Sequence, residues 1–357
     1  MTDEMTESDS RLDPYDYWLP DSAIARFPPP ERDGGRLLYS ASGEWKAGHV
    51  AGMADHFESG DVLIVNDTRV VPARLFGRRE TGGAVELLVL ESEADRGTAM
   101  VRPSKKIKVD EQIVLLDRTG AESNQWVRVG AAVGEGARSV VGSKPVSDLM
   151  EAFGVVPLPP YFGRDAEPED GVRYQTVFAE RPGAVAAPTA SLHLTEGILE
   201  QLKRRGVEVH RLTLHVGAGT FRNLRPEDLD RGRLHKERYS IPHRTAIAVN
   251  RAMESGRRIT AVGTTVTRAL ESAWHDGNVV GGEGETDLFI RPGYHFRVIN
   301  RLMTNFHLPR SSLLMLVCAA AGRDHVLAGY GVAVQQGFRF YSYGDAMLLH
   351  VSRGSDE

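Results

Sequence analysis

The chain has 357 residues, of which 41% are hydrophobic and 25% charged, a globular composition that excludes a disordered scaffold. Its 43 Lys and Arg against 48 Asp and Glu leave a net charge of −5, which excludes a histone-like basic protein but not a local basic patch. The single cysteine, Cys318, excludes an intrachain disulfide or a cysteine-rich zinc site and fits a reducing cytoplasm.

At roughly 150 residues per domain the length suggests two domains, three at most. The acidic, polar residues 1–13 predict a mobile tail and do not resemble a secretory leader. Residues 15–36 are Pro-rich and are expected to wrap the surface, because proline lacks the donor that a strand ladder needs. The apolar run 62–65 lies between Gly60-Asp61 and Asn66-Asp67-Thr68, which predicts a short strand covered on both faces.

From 76 to 150 the texture changes. Short β-like runs at 85–90, 112–116 and 126–129 are separated by Gly-rich turns, with no convincing long helix. This predicts a small antiparallel β-barrel inserted into an α/β domain made of 14–75 and 151–357.

Strand–turn–helix alternation marks the second half. Thr195 caps a predicted helix to Arg205 that Gly206 stops, and a strand follows over 207–216. Residues 259–262 form a strand before Gly263-Thr264-Thr265, and Val266, Ala269, Leu270 and Ala273 then recur at helical spacing. Leu288-Phe289-Ile290 is a further β-like run. The most apolar stretch, 313–321, is capped by Ser311 or Ser312. It is far shorter than the ~20 residues that span a bilayer, so it predicts a helix buried all round. The expected fold class is α/β: a mostly parallel sheet with flanking helices, plus the inserted barrel.

Several familiar sites are excluded. Gly217-Ala218-Gly219 lacks the third glycine of a dinucleotide fingerprint, since Arg222 stands there. There is no Walker lysine, no pair of histidines spaced for a helical zinc site, and no Gly-x-Ser-x-Gly elbow. No metal and no resident cofactor are expected.

The remaining signal lies in polar or glycine-rich segments, most of which follow apolar strands, where open α/β sheets bind ligands. They are Asn66-Asp67-Thr68-Arg69, His215-Val216-Gly217-Ala218-Gly219-Thr220-Phe221, Gly263-Thr264-Thr265, Arg291-Pro292-Gly293-Tyr294, Thr304-Asn305-Phe306-His307 and Tyr343-Gly344-Asp345. His215, at a strand end, is a candidate base. A core histidine bonded to a carbonyl is the competing account, and His193 and His307 share that ambiguity. The small-residue loop 183–190, with Ala186, Pro188 and Thr189, either admits a flat ligand or simply packs tightly. Gly263-Thr264-Thr265 can hold an anion on backbone N–H groups or serve as an ordinary helix start. Arg268 and Glu271, three apart on one helix, fit a surface ion pair. Arg102, Lys105, Lys106 and Lys108 concentrate positive charge, which suits a polyanion or a solvated loop.

Taken in order, these motifs resemble the S-adenosylmethionine:tRNA ribosyltransferase-isomerase family of queuosine biosynthesis. The resemblance rests on Asn66-Asp67-Thr68-Arg69-Val70-Val71-Pro72-Ala73-Arg74-Leu75, Pro157-Leu158-Pro159-Pro160-Tyr161 and Tyr174-Gln175-Thr176-Val177-Phe178. It extends through residues 182–190, 214–221, 304–309 and 343–347. Ser191 and Leu194 stand where the family pattern usually has Gly and Phe, and Val266-Thr267 where it has Ser-Val.

The resemblance implies a cytoplasmic tRNA-modifying enzyme. It moves the ribosyl part of S-adenosylmethionine onto 7-aminomethyl-7-deazaguanine in the anticodon of a tRNA of the GUN type, forming epoxyqueuosine with loss of adenine and methionine. S-adenosylmethionine is then a substrate, no membrane is involved, and a monomer is expected. His215 is the expected base, followed by His193 and His307. Gly217, Gly219, Thr220, Ala186, Pro188 and Thr189 are expected along the adenosine. Gly263, Thr264, Thr265, Arg268 and Asn305 are expected at the methionine end or the sugar, with Asn66, Asp67 and Asp345 completing the site. Arg69, Arg74, Arg102, Lys105, Lys106 and Lys108 are the expected RNA contacts. A non-catalytic RNA-binding module, or the same sulfonium chemistry on a free small molecule, are the competing functions.

Overall fold

The computed structural model describes residues 10–134, 136–217, 219, 224 and 226–352. Its centre is a nine-stranded sheet. Four neighbouring strands at its middle, Glu208–Leu214, Val62–Asn66, Ile259–Val262 and Arg301–Asn305, run parallel. On one side Arg233–Ile241 and then Gly282–Leu288 add antiparallel. On the other, Ala346–His350 runs antiparallel to Arg301–Asn305, and Arg36–Ala41 and Glu44–His49 follow it. The parallel reading thus describes the centre, while the flanks are antiparallel except where Arg36–Ala41 runs parallel to Ala346–His350.

Side-chain alternation explains why this sheet is buried twice over. Ile64, Leu214, Ala261 and Leu302 enter one apolar cluster, while Leu63, Val65, Val262 and Met303 enter another. Because successive strand residues face opposite ways, continuous apolar runs such as 62–65 supply both faces. Helices His243–Glu254, Thr264–Ser272, Ser312–Ala321 and Arg323–Gln335 cover the first face, through Val249, Leu270, Leu314 and Tyr330. Helix Glu196–Arg204 covers the second with Ile198 and Leu202.

The caps are as expected. Thr195 Oγ1 accepts the Ile198 N–H at 3.3 Å, and Ser311 Oγ accepts that of Leu314 at 3.2 Å. Among the described residues no single helix is long and apolar enough to cross a membrane.

Six antiparallel strands close the barrel: Arg74–Arg79, Ala84–Glu93, Arg96–Arg102, Glu111–Leu116, Glu122–Gly134 and Ala137–Gly142. Closure removes the exposed edges that six short strands would otherwise present. Alternate residues, among them Leu75, Leu87, Val101 and Leu115, fill the interior. A helix the sequence reading missed, Val146–Phe153, stoppers this core with Val146, Leu149 and Met150.

The expected tail needs one correction. Ser10–Tyr15 forms a 3-10 helix, with Leu12 buried against Leu229, Phe289 and Met315 and Arg11 paired to Asp230 at 2.6 Å. One apolar residue among polar ones was too weak a signal to show this anchorage.

Candidate active site

The strand directions bring the polar segments to one rim. Three of the parallel strands end at Asn66, Leu214 and Val262, so Asn66-Asp67-Thr68, His215 and Gly263-Thr264-Thr265 emerge side by side. Asn305 ends the fourth, and its antiparallel neighbour begins there, which adds Asp345. The 183–190 loop crosses this rim. A Cβ on Gly183 would come 2.9 Å from the His215 ring, Val185 N–H donates to the Val216 carbonyl at 3.0 Å, and Thr189 Oγ1 donates to Asn305 Oδ1 at 2.9 Å.

Most of the acid and amide candidates are used within the fold. Asn66, fully buried, accepts the Leu214 N–H at 3.0 Å and donates to the Leu214 carbonyl at 2.9 Å, replacing ladder bonds where the strands diverge. Asp67 accepts from Thr213 Oγ1 at 2.6 Å, and burial raises its pKa. Asn305 donates to His193 Nε2 at 3.2 Å, and Asp345 accepts the backbone N–H groups of Arg36 and Arg339 at 2.8 and 2.7 Å. These four residues build the rim, and their hydrogen-bonding atoms point inward. Ala186 and Pro188 are buried too, so the small residues of the 183–190 loop serve packing between the sheet and the barrel core, which Val185 enters.

The three histidines separate by environment. His193 is 3% exposed, and desolvation lowers it to about 4. His307 has its Nε2 2.9 Å from Thr304 Oγ1 and is pushed by burial to about 3. Bases so weak give little driving force for proton removal near neutrality. His215 is half-buried; its Nδ1 lies 2.8 Å from Thr68 Oγ1, and Nε2 has no protein partner among the described residues. Burial lowers its pKa, opposed by the Asp67 carboxylate. A ring held at Nδ1 and open at Nε2 is what a general base requires.

On the opposite face of the sheet, across the strand pairing of Leu214 with Tyr239, lies a cluster the sequence did not reveal. Arg268 is 6% exposed; its Nη1 donates to Glu237 and its Nε to the Leu288 carbonyl at 3.0 Å. The expected Arg268–Glu271 surface pair does not form. Glu271 is buried as well and accepts the N–H groups of Arg297, Val298 and Ile299. Glu237 also accepts the Gly217 N–H at 3.2 Å and faces His235 Nε2 at 3.4 Å. A Cβ on Gly219 would fall 2.3 Å from His235 Nδ1, so Gly219 is there to seat that ring. His235 and Glu237 are two apart on one strand and so share a face, but nothing local says that this face meets Arg268. Thr68, Gly183, His235 and Glu237 are the site residues missed as individuals. Thr220 lies outside the described residues.

Thr264 is buried and Thr265 half-buried at the start of helix Thr264–Ser272, which Gly263 enters with φ +95°. Arg69 is exposed on strand Thr68–Val70. Arg74 pairs with Glu86 at 3.2 Å and donates to the Leu158 carbonyl at 3.1 Å, bracing the barrel instead of facing solvent. Arg102, Lys105, Lys106 and Lys108 are exposed but are not gathered at the rim. Arg102 pairs with Glu86, whereas Glu91 of the same strand comes to 4.0 Å from Arg238 beside His215. Five residues at ~3.3 Å each, roughly 16 Å of strand, separate Glu86 from Glu91.

A family described as "Queuosine biosynthesis protein" matches residues 12–349. The S-adenosylmethionine:tRNA ribosyltransferase-isomerase of Pelobacter propionicus is 46% identical over 347 residues, covering 94% of this chain and 98% of its own. That of Anaeromyxobacter dehalogenans is 47% identical over 348 residues, covering 95% and 99%. Among solved structures, an S-adenosylmethionine tRNA ribosyltransferase from Thermotoga maritima aligns with a TM-score of 0.53 and 31% identity, covering 94% of this chain and 99% of that one. With the motifs assembled on one rim and the match running through both sheet and barrel, the chain belongs to the queuosine biosynthesis protein family.

Proposed function

We propose that the chain transfers and isomerises the ribosyl group of S-adenosylmethionine onto 7-aminomethyl-7-deazaguanine in tRNA, giving epoxyqueuosine-tRNA, adenine and methionine. The carrying observation is His215: a half-buried imidazole, tied at Nδ1 and open at Nε2, on a rim built from strand-end loops. The sulfonium charge acidifies the neighbouring C5′ hydrogens. His215 Nε2 removes one, and ring opening with loss of adenine follows. The aminomethyl nitrogen of the tRNA base captures the exposed carbon, and epoxide closure expels methionine.

His215 would be the catalytic residue, with Thr68 and Gly183 setting its ring. Gly217, Gly219 and the start of helix Thr264–Ser272 border the donor. Arg69 and the exposed Arg102, Lys105, Lys106 and Lys108 meet phosphates, which position RNA without reading it. In this reading the chain acts as a monomer in the cytoplasm on tRNA of the GUN type, as the family resemblance implies.

The test is incubation with S-adenosylmethionine labelled in its ribose and precursor-bearing tRNA. Adenine release with label entering RNA is expected. Binding of tRNA without consumption of S-adenosylmethionine would leave a binding module, and transfer to the free base alone would leave a small-molecule enzyme.

A further inference from the structure

Two exposed arginines flank the proposed base. Leu214 pairs with Tyr239 across antiparallel strands, and the His215 N–H donates to the Arg238 carbonyl at 3.1 Å, so His215 and Arg238 stand directly opposite each other. Opposed residues of an antiparallel pair share a face of the sheet, which sets the Arg238 side chain beside the imidazole. Arg181 stands on the other side. Strand Arg181–Ala184 runs parallel to Thr68–Val70 with Arg181 level with Thr68, whose hydroxyl is 2.8 Å from His215 Nδ1.

The fold makes little use of either charge. Arg181 is exposed and in no ion pair among the described residues. Arg238 comes only to 4.0 Å from Glu91 of the barrel, and both of those side chains are exposed. Burial is the main cause that lowers the His215 pKa; Asp67 opposes it, and the charges of Arg181 and Arg238 lower it further. Two cations beside a base weaken it, and an anion bound to them would offset that effect.

We infer that Arg181 and Arg238 hold the phosphates on either side of the nucleotide being modified, so that the RNA strand crosses the rim over His215. The inference rests on the acceptor being a base within tRNA. A nucleotide inside a chain carries one phosphate on each side, which matches one arginine on each side of the ring. The carboxylate of S-adenosylmethionine offers a guanidinium the same anionic oxygens, but it is a single group at one end of the donor. Arginine binds phosphate through paired, charge-assisted hydrogen bonds. Such contacts fix register without reading sequence, and here they would place the aminomethyl nitrogen next to the carbon on which His215 acts. A free base lacks both phosphates and forgoes both contacts.

The experiment uses the full chain and its R181Q, R238Q and double variants, each checked for folding by circular dichroism. Arg204 supplies the control: it is exposed on the helix that leads into the start of strand Glu208–Leu214, the end of the sheet away from the rim. Fluorescence anisotropy gives the Kd for labelled, precursor-bearing tRNA across a salt series, and steady-state kinetics give the KM for S-adenosylmethionine. Each single variant should raise the Kd for tRNA roughly three- to tenfold, the worth of one hydrogen bond to phosphate. The slope of log affinity against log salt should fall in magnitude by about 0.7 for each arginine and about 1.4 in the double variant. The KM for S-adenosylmethionine should stay unchanged, and R204Q should behave as the parent.

Unchanged tRNA affinity and salt slope in the double variant overturn the inference. A rise in the KM for S-adenosylmethionine without weaker tRNA binding overturns it too, and assigns the arginines to the donor's carboxylate. An equal loss in R204Q means that net charge alone is read. If the parent does not bind tRNA, the acceptor reading itself fails, which is a different result from tRNA binding that ignores Arg181 and Arg238.

Discussion

In the proposed mechanism a single ring nitrogen, His215 Nε2, carries the chemistry, so residue-scale tests are the sharpest. H215A should lower turnover roughly 100- to 10,000-fold, the usual range for loss of a general base, while calorimetry still shows S-adenosylmethionine binding. Because burial lowers the His215 pKa, the base stays neutral to below its ordinary 6.5. The acid limb of the kcat/KM profile should therefore lie below pH 6.5, and an inflection above 7 would exclude His215. Gly183 offers an independent lever. Its φ of +146° disfavours any side chain, and a Cβ would meet the His215 ring at 2.9 Å. G183A should cost roughly 1–3 kcal/mol in urea unfolding and lower kcat by displacing the ring. Unchanged kcat would mean that ring placement is not limiting. Sequence singled out His215 and the small-residue loop, but the contact between them joins positions 32 residues apart, which local pattern cannot show.

At the scale of elements, the barrel and the rim divide the work. The barrel's interior follows from alternation alone, and its three clearest strands were legible as β-like runs bounded by glycine turns. Its stopper helix was not, because eight residues carry too little periodicity to stand out from a loop. The basic loop is pinned from beneath: the buried Arg138 guanidinium donates to the carbonyls of Ile107 and Lys108 at 2.7 and 3.2 Å, leaving the lysine heads outside. Reversing Lys105 and Lys106 to Glu should raise the KM for tRNA and flatten its dependence on salt, because fewer counterions are released. The KM for S-adenosylmethionine should not change, because both lysines are exposed and, among the described residues, make no contact with the rim. A matched rise in both would mean that the loop acts on the site instead of on RNA.

The whole molecule stores a pH dependence in its buried histidines. His193 is 3% exposed and lowered by desolvation to about 4, against an ordinary 6.5. Below 6.5 the unfolded chain takes up a proton that the folded chain refuses. The stability is thus present above 6.5 and lost as pH falls towards 4, at roughly 3 kcal/mol for this group. Urea midpoints at pH 7 and pH 5 should differ, and the H193N variant should show a smaller difference; an equal one would mean that His193 titrates normally. Ser191, fully buried two residues away, has no hydrogen-bond partner for its hydroxyl among the described residues. By itself the sequence determined the apolar strands, the capped helices, the inserted barrel and the ordered motifs that identify the family, because each is written in neighbouring residues through side-chain period and turn chemistry. Only the tertiary structure decided which histidine keeps an open nitrogen, why Asn66, Asn305 and Asp345 face inward, and that Glu237 rather than Glu271 holds Arg268. Burial and hydrogen-bond partners come from strands far apart in the chain, as with Thr68 and His215, 147 residues apart, and no local spacing encodes which of them will meet.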